Sequence, residues 1–553
     1  MPAPRRAADL FVACLEAEGV RHVFGIPGEE TLDLNAALED SSITFVPVRH
    51  EQGGAYMADM YGRLTGRAGV CLGTLGPGAT NLLTAVADAY LDRAPLVALT
   101  GQAGVERMHK ESHQYLDLVQ IMRPVVKWNA RVTSPEIVPE VVRKAFKLAE
   151  SEKPGATHLE LPEDVMAAPV GDDPVATRPL PRDQPVRSEP RARDLLRAAE
   201  LIRAARHPVA LAGNGVVRGR AAPALRAFSR VTGIPVAETF MAKGVVDADA
   251  PQALGTVGLQ ARDYELAGFA DADLVLAIGY DLVEHAPRHW NPRRDKTIVV
   301  IDTVPAEIDA NFVPEIELIG DVYGILHRLA GECRDRVGAG GASALRALVQ
   351  RELDAAAGDD AFPPRPPRAL LEIRAALGRD DLLISDVGLH KLWIGRMFPA
   401  YEPNTVLIAN GLAGMGFAVP SAIGAKLVHP DRNVVAVSGD GGFLMNCQEL
   451  ETAKRLRTPF VTVVWENRQF GSIVRKQERK FGRHFGVDFD NPDFVALAAA
   501  FGLPAWRPTS IGELATQLRR ALALDVPSLI VLPVDDAVDV ALTGELGAET
   551  VAT

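Results

Sequence analysis

Cysteine is scarce in this chain: four residues in 553, Cys14, Cys71, Cys333 and Cys447, set far apart. They form no CxxC pair and no Cys/His cluster, which argues against a thiolate zinc site and predicts reduced, mostly buried thiols. Long apolar runs are absent too. None approaches the ~18 residues needed to span a bilayer, so no membrane partner is expected. There is no basic excess: 59 Lys and Arg stand against 71 Asp and Glu, a net charge of -12. Phosphate backbones favour basic surface, so nucleic acid is not the expected partner. Met1 to Arg6 is polar and runs straight into an amphipathic pattern at Leu10, Phe11 and Leu15, without the apolar core of a signal peptide; a cytoplasmic location is expected. The remaining composition, 47% apolar and 24% charged, is that of an ordinary globular protein. The length suits roughly three or four domains of about 150 residues.

Short β-rich runs alternate with helical patterns along the whole chain, which predicts α/β layers with parallel sheets flanked by helices. Val70–Thr74, Leu96–Thr100, Val209–Ala212, Leu274–Ile278, Thr297–Ile301, Val434–Val437 and Phe460–Val464 read as buried strands. Two stretches read as linkers. Ala167–Arg191 is rich in Pro, Asp and Arg. Val337–Pro367 opens with the small run Gly338–Ala342, continues through a short helix and closes on the Pro-rich Phe362–Pro367. The expected domains are therefore residues 1–168, 190–335 and 365–540. The first and third echo each other: a strand, a glycine-rich loop, a helix and another apolar strand recur in Gly69–Thr100 and Asn433–Val464, as a duplicated domain would show.

In open α/β sheets ligands bind beyond the carboxyl ends of the strands. The strongest pattern at such an end is Gly439-Asp440-Gly441-Gly442, followed one strand later by Trp465-Glu466-Asn467. Gly441 and Gly442 let backbone approach a ligand closely, and a helix expected from about Leu444 to Leu456 would turn its first amides towards an anion. Asp440 and Asn467 emerge at one sheet edge. Mg²⁺ accepts carboxylate, amide and phosphate oxygens, so Asp440, Asn467 and two oxygens of a diphosphate make a coordination set, with a backbone carbonyl near Gln469 as a further ligand. Taken alone, Gly-Asp-Gly reads equally as a tight strand–helix turn with a capping Asp.

Gly439 to Asn467 resembles the thiamine-diphosphate motif shared by pyruvate decarboxylases, acetolactate synthases and their relatives. That motif normally ends in Asn-Asn or Asp-Asn; here it ends in Glu466-Asn467. The resemblance implies a three-domain fold: a pyrimidine-binding domain, a central Rossmann-like domain and a diphosphate-binding domain. It also implies thiamine diphosphate and Mg²⁺ as cofactors. Arg49-His50-Glu51-Gln52-Gly53, after the apolar strand Ile43–Val48, matches the family's activating glutamate, and Glu51 is the implied catalytic carboxylate. Alone, it would read as a helix N-terminal charge. In the family Glu51 and Asp440 come from two subunits, which implies a homodimer or tetramer.

Further segments extend the resemblance. Thr74 to Asn81 is similar to the glycine-rich turn beside the cofactor and assigns Gly76, Pro77 and Asn81 to it; the glycines also suit a plain strand–helix connection. Asn410 to Gly416 is similar to the segment that supports the bent cofactor, placing Gly414 and Met415 there, although a lone Met is usually core filling. Asp386 to His390 is similar to a diphosphate-side loop and assigns Val387, Gly388 and His390. Gly439, Gly441, Gly442, Gly471, Ser472 and Ile473 complete the implied cofactor contacts, and Gln114, after His113, matches a pocket glutamine with a catalytic role.

Nearly the whole chain resembles acetolactate synthase large subunits, including Phe24–Gly28 and Pro95–Gln102. This implies decarboxylation of pyruvate, a small 2-oxoacid, and ligation of the two-carbon unit to a second pyruvate, giving 2-acetolactate and CO₂. The alternative is another thiamine-diphosphate-dependent 2-oxoacid decarboxylase or aldehyde lyase/carboligase. Ile278–Glu284 with Trp290-Asn291 is similar to the catabolic, FAD-independent type, and Ala212-Gly213-Asn214-Gly215 is not GxGxxG, so FAD is not expected. Arg475-Lys476-Gln477, where biosynthetic enzymes carry a Trp, suits either a carboxylate acceptor or a solvated helix face.

Overall fold

The computed structural model describes residues 5–171, 173, 177–183, 188–335, 343–536 and 545–546. Gly338–Ala342, expected to open the second linker, lies outside the described residues, as do residues 537–540. The chain forms two compact units. One comprises Met1–Pro185, Gly411–Asp431 and Leu444–Pro459; the other comprises Val186–Asn410, Arg432–Phe443 and Phe460–Thr553.

The first unit is built on one sheet: β1 (His22–Gly25), β2 (Thr44–Pro47), β3 (Gly69–Gly73), β4 (Leu96–Gln102), β5 (Trp128–Arg131) and β6 (Ala156–Pro162), in the order β2-β1-β3-β4-β6-β5. β3, β4 and β6 are buried at every position, as expected of strands covered on both faces. Cys14 and Cys71 are buried free thiols here, and burial pushes the Cys14 thiol up to about 12.

The second unit carries two sheets. β7 (Pro208–Ala212), β8 (Val236–Glu238), β9 (Ala253–Thr256), β10 (Leu274–Ile278), β11 (Thr297–Asp302) and β12 (Ile316–Ile319) run in the order β12-β11-β10-β7-β8-β9. Counted from β7, that is the 3-2-1-4-5-6 order of a doubly wound dinucleotide-type sheet. β13 (Leu382–Ser385), β14 (Val406–Ile408), β15 (Val434–Gly439), β16 (Val461–Glu466), β17 (Ala505–Trp506) and β18 (Ser528–Pro533) run β14-β13-β15-β16-β18-β17. Counted from β13, this order is that of the first sheet. The echo between Gly69–Thr100 and Asn433–Val464 is thus a repeated β-α-β step at the same place in two sheets of one topology. The strand pairs in all three sheets are parallel.

The helix Glu51–Thr65 shows how packing overrides local preference. It contains Gly53, Gly54 and Gly62, each unfavourable in a helix interior. A Cβ at Gly62 would stand 2.3 Å from the Pro95 carbonyl oxygen, so close approach to the sheet requires glycine there. On this helix Arg63 is buried. Its guanidinium lies 2.6 Å from Asp59, 2.7 Å from Asp92 and 3.8 Å from Asp88, with the Phe417 ring centroid 5.0 Å from Cζ. Burial pushes the Asp59 and Asp88 carboxyls up, and the Arg63 charge opposes that shift. Removing one partner of a buried ion cluster leaves the others uncompensated, at a cost of about 3–5 kcal/mol. Arg63→Met is therefore expected to lower the thermal transition sharply or to abolish soluble protein, read by scanning fluorimetry and soluble yield. A transition equal to wild type would show that the cluster does not hold the helix.

Candidate active site

Glu51 is the first residue of its helix. It follows β2 through Val48-Arg49-His50, and the His50 Nδ1 accepts from the Gln52 amide. The side chain is buried, and Oε2 accepts a hydrogen bond from Asn81 Nδ2 at 3.0 Å. Gly78 flanks the other oxygen: a Cβ there would lie 3.3 Å from Glu51 Oε1. The approach to Glu51 is fixed by a second buried carboxylate, Glu449, whose Oε1 accepts the amides of Arg49 and His50, each at 3.0 Å. A Cβ at Gly53 would stand 2.7 Å from that same oxygen. Burial pushes the Glu449 carboxyl up, and the two amides pull it back.

The glycine-rich turn after β3 meets Gln114. Gly76 has φ +56° and Gln114 has φ +59°, and a Cβ at Gly76 would lie 2.8 Å from the Gln114 carbonyl oxygen. Pro77 opens the helix Pro77–Leu91 that carries Asn81. Gln114 itself is exposed. Gly414 lies against Tyr56, whose hydroxyl would be 2.3 Å from an added Cβ, and Met415 is half-buried rather than packed in a core. All these residues belong to the first unit.

In the second unit, Asp440 follows β15 and is almost fully buried. Its Oδ2 accepts the amides of Asn467 (3.0 Å) and Arg468 (2.6 Å) and the Asn491 side-chain amide (2.9 Å). The carboxylate thus ties the end of β15 to the end of β16. Asn467 Oδ1 accepts the Gln469 amide at 3.2 Å, and its Nδ2 donates to Asp536 Oδ2 at 2.8 Å. Gln469 is anchored by its side chain to Asp488. Among the described residues no three His, Cys, Asp or Glu converge on a metal position. One carboxylate and one amide are a sparse donor set, the kind a hard cation occupies when phosphate oxygens complete it.

The helix after Asp440 does not start near Leu444. It runs Asp440–Asn446, and a second helix covers Glu449–Leu456. Gly441 and Gly442 read as loop residues in sequence, yet they lie in the first turn of the helix, where a side chain would be crowded. A Cβ at Gly441 would meet Phe470 at 2.8 Å, and one at Gly442 would meet Asp386 Oδ1 at 3.2 Å. Asp386, in turn, accepts from the Val387 amide (2.7 Å) and the Ser438 hydroxyl (3.0 Å), which fixes the loop Val387-Gly388. His390 is buried within van der Waals reach of Gly388 and Gly439. One ring nitrogen bonds to the Asp386 backbone; Nε2 has no partner among the described residues. Gly471 abuts the Asn467 side chain, Ser472 is half-buried and Ile473 is exposed.

Family models of the thiamine pyrophosphate enzymes match all three regions: the N-terminal TPP binding domain at residues 5–121, the central domain at 195–329 and the C-terminal TPP binding domain at 386–532. The chain is 36% identical over 540 residues to an acetolactate synthase of Bacillus subtilis (strain 168), covering 96% of this chain and 93% of that one. It is 37% identical to a catabolic acetolactate synthase of Raoultella terrigena, covering 98% and 97%. It is 34% identical to a probable acetolactate synthase large subunit of Methanocaldococcus jannaschii, covering 96% and 92%. The chain belongs to the acetolactate synthase family of thiamine pyrophosphate enzymes.

Within this family motif the departure at Glu466 has a local cause. Its carboxylate is buried, pairs with the Arg507 guanidinium and lies 3.5 Å from Asn491 Nδ2. Asn491 and Asp536 support the motif, and Glu449 the approach to Glu51, but none of the three carries a spacing that marks it in the sequence. Arg475 turns inward to donate to the Asp536 carbonyl, whereas Lys476 on the same helix, Gly471–Phe481, is exposed.

Burial pushes the His390 imidazole down to about 4, so the ring is neutral at pH 7. An imidazole depressed in the folded state binds its proton more tightly when unfolded. Its stabilising contribution is complete above about pH 6.5, the unfolded value, and drains away as pH falls towards 4. His390→Gln is expected to lose less thermal stability than wild type between pH 6.5 and pH 4.5 in scanning fluorimetry. Parallel losses in the two proteins would show that His390 is not held neutral.

Proposed function

We propose that this protein is an acetolactate synthase of the FAD-independent type, which decarboxylates pyruvate and joins the remaining two-carbon unit to a second pyruvate. The observation that carries this reading is the retention, both buried, of Glu51 with its Asn81 partner and of Asp440 tied to Asn467. When bound, thiamine diphosphate supplies the carbanion that adds to a 2-oxoacid carbonyl and the ring that accepts the electron pair left by carbon dioxide.

In this reading Asp440 and Asn467, with the Gln469 carbonyl, hold Mg²⁺. Gly439, Gly441, Gly442, Val387, Gly388, His390, Gly471, Ser472 and Ile473 line the diphosphate side. His390 Nε2, buried and without a partner among the described residues, fits that assignment: beside a phosphate it would take up a proton and donate. Gly76, Pro77, Asn81, Gly414 and Met415 line the ring side, and Glu51 holds a proton at the pyrimidine edge, a role that suits a carboxylate kept from bulk water. Gln114 stands over the acceptor, where its amide orients a carboxylate or carbonyl.

The proposed domains are residues 1–168, 190–335 and 365–540. We further propose a cytoplasmic homodimer or tetramer. Leu412, Leu444 and Met445 of the first unit and Ile473, Phe481 and Phe485 of the second expose large apolar side chains, as surfaces destined for a partner do. No helix among the described residues is long and apolar enough to cross a membrane.

The test is an assay of purified protein with thiamine diphosphate, Mg²⁺ and pyruvate, without added FAD, measuring acetolactate, acetaldehyde and carbon dioxide. Acetolactate is expected as the main product. Glu51→Gln should lower turnover by about 10²–10⁴-fold, the usual worth of a positioned acid–base group, and Asp440→Ala should raise the Mg²⁺ requirement. Acetaldehyde as the main product would move the protein to the decarboxylases, and turnover unaffected by Glu51→Gln would remove that residue from the chemistry.

A further inference from the structure

Gln114 is exposed and adopts a left-handed conformation, φ +59°. A residue other than glycine keeps that conformation only where its surroundings impose it. One boundary is Gly76, where a Cβ would stand 2.8 Å from the Gln114 carbonyl oxygen. The turn closes on itself through the Tyr115 amide, which donates to the Ser112 carbonyl at 3.2 Å. The other boundary is a chain of polar side chains that bonds the next two residues, Tyr115 and Leu116.

That chain starts at Gln102, the last residue of β4, which is fully buried. Both ends of its amide are engaged. Nε2 donates to the Leu116 carbonyl at 2.9 Å and to Glu160 Oε1 at 2.6 Å, and Oε1 accepts the Ala103 amide at 2.9 Å. Glu160, on β6, is buried as completely. Its Oε2 pairs with the guanidinium of Arg131, the residue opposite it on β5. Arg131 also hydrogen-bonds the Tyr115 side chain. A buried carboxylate persists only with such donors. Glu160 therefore fixes Gln102 and Arg131, and these reach the main chain of Leu116 and the side chain of Tyr115. Three adjacent strands, β4, β6 and β5, thus hold a turn that is itself exposed. Nothing in the chemistry at Glu51 or Asp440 uses these three side chains.

We propose that Gln102 is the positioning residue of the acceptor pocket: backed by Glu160 and Arg131, it holds Gln114 in the left-handed turn from which that residue addresses the second 2-oxoacid. The proposal rests on the reading of Gln114 as the residue over the acceptor. The two-carbon unit left by decarboxylation has two fates. Its reactive carbon adds to the carbonyl carbon of a second pyruvate, whose oxygen takes a proton, giving 2-acetolactate; or that carbon takes a proton itself and leaves as acetaldehyde. A displaced Gln114 misaligns the acceptor but not the donor. Gln102 accordingly governs the ratio of the two products more than the rate of decarboxylation.

The experiment uses the full-length protein saturated with thiamine diphosphate and Mg²⁺. It measures acetaldehyde, acetolactate and carbon dioxide formed from pyruvate, with the thermal transition as the check on folding. Gln102→Leu removes all three bonds at similar volume. It should raise the ratio of acetaldehyde to acetolactate by about 3- to 10-fold, the worth of a hydrogen bond's alignment, while carbon dioxide release falls less than acetolactate formation. Tyr115→Phe removes only the hydroxyl that Arg131 meets; it should raise the ratio less, and it serves if the leucine variant does not fold. Gln114→Ala should raise the ratio by itself. In that background neither substitution should raise it further, because a positioning residue acts through the group it places. A mere loss of packing would lower both products together. A wild-type ratio in every folded Gln102 or Tyr115 variant, or a rise that persists in full beside Gln114→Ala, would overturn the proposal alone. A wild-type ratio in Gln114→Ala, or wild type that forms no acetolactate, would overturn the reading of Gln114 and the proposal with it.

Discussion

The structure depends on buried carboxylates that accept backbone amides at the ends of parallel strands. A parallel sheet leaves its carboxyl edge as a row of separate turns, each with amide groups that no ladder satisfies. Asp440 closes this gap between β15 and β16 by accepting from Asn467 and Arg468. Glu449 does so for Arg49 and His50, and Glu284 for Asn214. Asp386 binds its own loop to the Ser438 hydroxyl at the end of β15. Charge-assisted bonds to a carboxylate are stronger than neutral ones, and breaking them leaves a buried charge unmatched. The turns that carry function are therefore fixed by groups that need not touch a substrate.

Repetition of one topology explains where those groups stand. The first and third sheets share a strand order, and in both the turn after the third strand is glycine-rich and leads directly into a helix. The two turns have diverged in chemistry. After β3, Gly76 adopts a left-handed conformation against Gln114, and its helix delivers Asn81 to Glu51. After β15, the corresponding turn begins its helix with Asp440. One turn positions a neutral amide beside a carboxylate, the other a carboxylate beside amides.

Much of this was legible from residue order. Leu274–Ile278 forms β10 with the expected bounds because a strand buried at all five positions has no polar face to blur its ends. Asp440 and Asn467 were legible because they follow neighbouring parallel strands that are consecutive in the chain. The start of the helix at Asp440 was not. Gly441 and Gly442 carry a weak helix preference, and the side chains that would crowd a larger residue there, Phe470 and Asp386, are distant in sequence. The same distance hid Glu449, Asn491 and Asp536. Glu466 could be seen as a departure from the motif, but its reason, Arg507, lies on another segment. The two readings left open for Arg475-Lys476 separate in the structure: Arg475 is taken up by a main-chain carbonyl, whereas Lys476 faces solvent.

The contrast between sheet ends bears on what distinguishes a site from a scaffold. In the central sheet the amides of the Gly213 turn are all engaged by the protein itself, and the crevice a ligand would enter is filled by Glu284 and by the close approach of Gly279. Near the Asp440 turn, the His390 ring is buried and neutral with Nε2 facing no partner among the described residues. A buried polar atom left unmatched costs stability of the order of 1–3 kcal/mol, a cost relieved when a ligand supplies the missing partner. The two turns share an architecture of strand, glycine-rich loop and short helix. What differs is whether the protein has already answered its own polar groups: at the central turn every amide is bonded within the chain, whereas beside the Asp440 turn a buried ring nitrogen has no partner among the described residues.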